Sequence, residues 1–167
     1  MYRRSNVVIT YIRCIYDIKT QRAKRLLGHL LLGHLHDITD MAAAPGARHG
    51  AQHLFATAAC SGDVKIWDTR CRGGAAAIML TTGVGDPMHA VVLAANNSSS
   101  SSGASQLGAG MYCFAGGMGQ SIWAWAVRGG QGQVLFQLST GNLDVNSLAW
   151  REGSSSLIAN CDADSST

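Results

Sequence analysis

The chain has little proline, only 2 of 167 residues, and only 14% of it is charged. So little charge beside 47% apolar residues excludes a disordered polyelectrolyte, because such a chain has ample apolar surface to bury. Long apolar runs are also missing. No stretch approaches the roughly 18 consecutive apolar residues of a membrane span, so no membrane association is expected. The start, MYRRSNVVITYIRC, is basic with a short apolar run, but Thr10 and Arg13 interrupt it and no small-x-small site follows. It does not read as a secretory leader. The five cysteines (Cys14, Cys60, Cys71, Cys113 and Cys161) are odd in number, scattered, and form no C-x-x-C pair. They read as reduced, mostly buried thiols of a cytoplasmic or nuclear protein.

Signs of catalysis are sparse as well. Ser61 lies in CSGDV, which is not the G-x-S-x-G elbow of a nucleophilic serine. Gly116-Gly117-Met118-Gly119-Gln120 is glycine-rich but lacks the lysine and the following helix of a phosphate loop. His34-Leu35-His36, with only Asp37 and Asp40 nearby, is a poor chelating set, and the cysteines lack ligand spacing. The chain therefore reads as a non-enzyme with no metal and no cofactor.

What is abundant is glycine, 20 residues, many at turn positions. Between them run short segments with a period of two. In Ala58–Arg70, AACSGDVKIWDTR, the Ser61-Gly62-Asp63 turn precedes Val64 and Ile66, with Lys65 between them facing outward. Strands are expected over 36–43, 53–59, 63–68 and 75–80. After Met88 the pattern returns over 88–95, 112–116, 121–127 and 133–138. Between the first two of these, residues 96–107 hold five consecutive serines and read as an insertion. Further segments follow at 144–150 and 156–161, with a turn beginning at Asp162. At the N-terminus, 7–11, 13–18 and 23–27 read as three more strands. The chain thus falls into units 6–27, 36–80, 88–138 and 143–167, and the fold class is all-β.

Gly33-His34 precedes Trp67-Asp68 by 33 residues, and Trp125 follows Trp67 by 58, or 46 once the 12-residue insertion is removed. A Gly-His pair, a spacer of this size and a strand-ending Trp-Asp resemble the WD40 repeat, whose period is about 40–45 residues. Tyr16 and Trp125 fall in the phase of Trp67. The resemblance implies a partial β-propeller of four-stranded antiparallel blades that does not close on itself. It comprises two near-complete blades, three strands before them and two after. A bare blade face exposes apolar area, so three outcomes stand open. The chain is a fragment of a longer propeller, it closes with another subunit, or it folds as a smaller open array.

The resemblance also implies a hydrogen-bonded network of His34, Thr57, a turn acid and Trp67, structural rather than chemical in role. Six residues before Trp67, where it expects an aspartate, stands Ser61, and Asp63 is displaced by two. Before Trp125 the same place holds Gly119, and Val84 stands where the histidine belongs; in the last unit Gly141 does. By resemblance the function is that of a protein–protein interaction scaffold. Candidate contacts to proteins or peptides are His36, Asp37, Arg48, His49, Met88, His89 and Trp123, although a packed Trp123 is the plainer reading. A rival function arises from charge. Residues 1–25 carry a net +6 and the remainder −3. A strip of Arg3, Arg4, Arg22, Lys24 and Arg25 could meet nucleic acid. No aromatic residues interleave with it for base stacking, so a solvated strand edge is the plainer reading. A truncated product without independent function is the third reading.

Overall fold

The computed structural model describes residues 34, 36–45, 53–68, 70–71, 76–95, 111–151 and 154–163, and the backbone of 15–17 and 22–24. All the regular elements among them are strands, apart from isolated single-residue turns. They are β1 (Ile15–Asp17), β2 (Arg22–Lys24), β3 (Ile38–Ala43), β4 (Leu54–Ala59), β5 (Asp63–Asp68) and β6 (Ile78–Thr81). Then come β7 (Met88–Ala95), β8 (Met111–Gly117), β9 (Ser121–Arg128), β10 (Gln131–Ser139), β11 (Leu143–Arg151) and β12 (Ser156–Ala163). β3–β6 and β7–β10 each form a four-stranded antiparallel sheet in chain order, and β1–β2 and β11–β12 form two-stranded sheets. No sheet among the described residues closes on itself.

Local chemistry explains the turns. Gly129 and Gly130, at φ 58° and 79°, make the two-residue connection between β9 and β10, where Arg128 pairs with Gln131. Two successive positive φ values match the primed turns that suit strand twist. Gly62, at φ 79°, closes the β4–β5 turn. A Cβ there would stand 2.7 Å from the Asp86 carbonyl oxygen, so no other residue fits without strain.

The strand expectations and the structure agree closely in position. β10 begins earlier than expected, at Gln131, and carries a register shift between Val134 and Phe136. Asp162, read as a turn residue, lies inside β12, paired with Asp144. The segment 7–11 and the serine-rich 96–107 lie outside the described residues.

Two apolar layers organise the packing. Val64 and Ile66 of β5 and Leu80 of β6 meet Val91 and Leu93 of β7, Cys113 and Ala115 of β8, and Trp125 of β9. The opposite face of the second sheet, with Ala90, Phe114, Ile122 and Ala124, meets Val145, Leu148 and Trp150 of β11. Both faces of β7–β9 are therefore covered, and these strands read as nearly continuous apolar runs, whereas every residue of β10 is exposed. The first strands lie side by side: β7 contacts both β3 and β11. Each first strand carries a register shift at its start, between Ile38 and Asp40, Met88 and Ala90, and Val145 and Ser147. Each shift adds one residue (Thr39, His89 or Asn146), as a β-bulge does.

Candidate functional site

The most elaborate polar cluster lies on the face of the β3–β6 sheet turned away from β7. Period-two alternation places Thr57 on β4 and Lys65 and Trp67 on β5 on this face, opposite Val64 and Ile66. The Trp67 indole N–H donates to Thr57 Oγ1 at 2.8 Å. His34 Nε2 lies 2.6 Å from the same oxygen. The Thr57 hydroxyl, which accepts from the indole, can also donate its own proton to His34 Nε2. Nδ1 sits 2.9 Å from Asp63 Oδ2, close to the carboxylate although not along a well-directed hydrogen bond. Lys65 Nζ is 3.1 Å from the same Oδ2, and the Ser61 hydroxyl donates to Asp63 Oδ1. Burial alone would raise the Asp63 pKa, but His34 and Lys65 outweigh it and hold the carboxyl below the usual range.

His34, Thr57, Ser61, Asp63 and Trp67 thus come together. Ser61 stands where an acid was expected, and Asp63 reaches His34 from two residues further along. Lys65 departs from the sequence reading: it is buried, not outward, because its face of the sheet is covered and its ammonium has the Asp63 carboxylate as partner. Phe55 stacks on Trp67 with centroids 6.2 Å apart, closing the apolar side of the cluster.

Trp125 has no such support. It pairs across the sheet with Cys113, as Trp67 pairs with Phe55. Two residues beyond Phe55 is Thr57; two beyond Cys113 is Ala115, which has no hydroxyl. Trp125 is buried and its indole N–H has no hydrogen-bond partner among the described residues. Trp123 stacks on Trp125, with centroids 6.4 Å apart, and is packed against the core rather than presented to solvent. Burial pushes the Cys113 thiol pKa up, so the neutral thiol persists.

The remaining candidates separate. His36 and Asp37 are exposed at the entry to β3. Met88 is not on an open loop; it begins β7 and is buried in the core, because the bulge after it turns its side chain inward. His89, the bulge residue, is half-buried. Arg48, His49, Arg3, Arg4 and Arg25 lie outside the described residues. Arg22 and Lys24 lie on β2. Among the described residues no group of three or more His, Cys, Asp or Glu is placed to hold a metal ion, and no helix is long and apolar enough to cross a membrane.

Two contacts that the sequence reading missed join the sheets. Asp40 Oδ2 accepts from the Val91 backbone N–H at 2.8 Å, and the Thr39 hydroxyl donates to the Met88 carbonyl at 2.5 Å. β7 is the edge strand of its sheet, and Asp40 takes one of its outward N–H groups. An acid within an otherwise apolar alternation was the available signal.

The chain matches no model of a known protein family, and it matches no curated protein. What the fold itself presents is an all-β stack of antiparallel sheets with exposed loop ends, a form compatible with holding other macromolecules.

Proposed function

We propose that the chain is a non-enzymatic protein–protein interaction scaffold of the WD40 type, part of a larger propeller whose blades are its four-stranded sheets. The observation that carries this reading is the repetition of one register. Phe55–Trp67 and Cys113–Trp125 are equivalent cross-strand pairs, each partner displaced by 58 residues, and the first-strand bulges at Thr39 and His89 recur at equivalent places. First strands lying side by side, β7 against both β3 and β11, suit blades around an axis. The Trp67–Thr57–His34–Asp63 chain of contacts is of the kind the WD40 resemblance implies, and its role here is to fix one blade. Such a scaffold works in the cytoplasm or nucleus and recognises peptides or domains through exposed loop ends, of which His36 and Asp37 are the described examples.

The test is selection of displayed peptides on the whole chain, followed by counter-titration on a His36→Ala/Asp37→Ala variant. Selected peptides should lose about tenfold or more in affinity on the variant, about 1.4 kcal/mol. The competing basic-strip reading is tested in parallel with a DNA duplex and an unrelated single-stranded RNA. Binding to both that falls steeply with salt would replace the scaffold reading.

A further inference from the structure

We infer that β11–β12 is a flap that opens from the second sheet as a separate unit, while Asp40 and Thr39 keep the two four-stranded sheets clasped to each other. The difference lies at equivalent first-strand bulges. Register aligns Thr39-Asp40 of β3 with His89-Ala90 of β7 and Asn146-Ser147 of β11. One place in the repeat therefore carries different chemistry at each boundary between sheets.

Between β3 and β7 that place is a clasp. Asp40 Oδ1 accepts from the Met41 backbone N–H at 2.8 Å, which orients the carboxylate. Its Oδ2 takes the Val91 N–H on the edge of β7, and the Thr39 hydroxyl reaches the Met88 carbonyl of the same strand. One donor and one acceptor of that edge are thus held by side chains of the neighbouring sheet. A carboxylate is a stronger acceptor for a backbone N–H than a neutral oxygen. Beside the clasp runs the larger apolar layer, with Ile66, Leu80, Leu93 and Trp125.

Between β7 and β11 the clasp is missing. Ala90 stands at the Asp40 place and has no polar side-chain atom. Asn146, the third bulge residue, donates its amide to Asp162 within its own half-sheet. Among the described residues no side-chain hydrogen bond joins β7 to β11. Apolar contact alone holds this boundary, and its aromatic element is Trp150 stacked on Phe114 with centroids 5.5 Å apart. Val145 is the one buried residue of β11, and none is buried over residues 156–162 of β12. Elements with so few buried apolar groups open at a lower free energy than the whole. The Thr140 N–H donates to the Gln120 carbonyl at 2.9 Å, tying the chain to the β8–β9 turn. The joint of the flap therefore follows at Gly141 and Asn142, both with positive φ. Its opening uncovers Phe114, Ile122 and Ala124 and leaves the clasped layer closed.

Native-state hydrogen exchange on the full chain, followed by NMR in rising sub-denaturing urea, tests both parts. Amides that pair β11 with β12 should exchange at least about tenfold faster than those pairing β4 with β5 and β8 with β9. Their urea dependence should also be smaller, because less surface is exposed. Asp40→Ala should speed exchange of the Val91 amide about tenfold. Asp40→Asn, whose side-chain carbonyl still accepts, should recover most of that protection, and neither variant should change β11–β12. If Asp40→Ala does not fold, Thr39→Val strips only a hydroxyl and should loosen β3 and β7 while sparing β11–β12. Equal exchange and equal urea dependence in all three sheets overturn the flap, since the stack then opens as one body. A Val91 amide indifferent to Asp40→Ala overturns the clasp. So does β11–β12 exchange that rises as much as exchange at β3 and β7 in any of these variants.

Discussion

Trp67 and Trp125 occupy equivalent places in successive sheets, yet one is held by a chain of polar contacts and the other has an indole N–H with no partner among the described residues. Both are buried, both lie on a third strand, and both face away from the following sheet. The difference comes down to a hydroxyl, present on Thr57 and absent from Ala115. The second sheet loses nothing in topology. Its strands β7–β9 are covered on both faces by apolar side chains, while β10 is exposed along its length. The first sheet has its Trp67 face tied instead to His34, outside the sheet, through Thr57. The comparison teaches that the repeated backbone comes from alternation and packing, whereas the polar network is an addition that fixes one unit.

The largest expected effect comes from removing the shared oxygen. Thr57→Val keeps the shape but strips the partner from both His34 Nε2 and Trp67 Nε1. It should cost about 2–4 kcal/mol, read from the urea midpoint at unchanged slope. If the loss is below about 1 kcal/mol, the network is not what fixes the first sheet. The next effect is a contrast. Trp67→Phe and Trp125→Phe remove the same atoms, but only the first breaks a hydrogen bond. Trp67→Phe should be the more destabilising by about 1 kcal/mol, and equal losses would erase the distinction between the sheets.

A gain of function in the second sheet is smaller. Ala115→Ser places a hydroxyl at the position equivalent to Thr57 and should add up to about 1 kcal/mol, with a downfield shift of the Trp125 indole proton resonance. An unchanged resonance would show that the hydroxyl does not reach it. The smallest effect depends on pH. Because the folded Asp63 carboxyl lies below its ordinary value, its contribution is fully present above about pH 4 and fades as the pH falls through the depressed value. The stability difference between wild type and Asp63→Asn, followed by urea unfolding from pH 6 to pH 2.5, should therefore shrink only in the acid limb. A constant difference across that range would remove His34 and Lys65 as the cause.

Much of this was legible in the residues. The strands around Val64–Trp67 and Ile122–Val127 follow from period two bounded by glycine turns, and the meeting of His34, Thr57, a turn acid and Trp67 was what the WD40 resemblance implied. Other features were not legible. Lys65 sits among alternating residues like a solvent-facing lysine, and only the covered face and the nearby carboxylate bring it inside. Met88 stands next to a proline and a histidine at the start of a strand, and only the bulge after it decides that it points into the core.

The order of residues by itself determined where strands lie to within a few residues, which positions share a face, and that the same unit recurs, because these depend on local alternation and on glycine's tolerance of positive φ. Tertiary structure alone decided which polar groups find partners: Asp40 at the Val91 N–H, His34 beside Asp63, and none among the described residues for Trp125. Hydrogen bonds are short and directional, so their satisfaction is set by how distant elements lie against one another and not by the alternation that formed those elements.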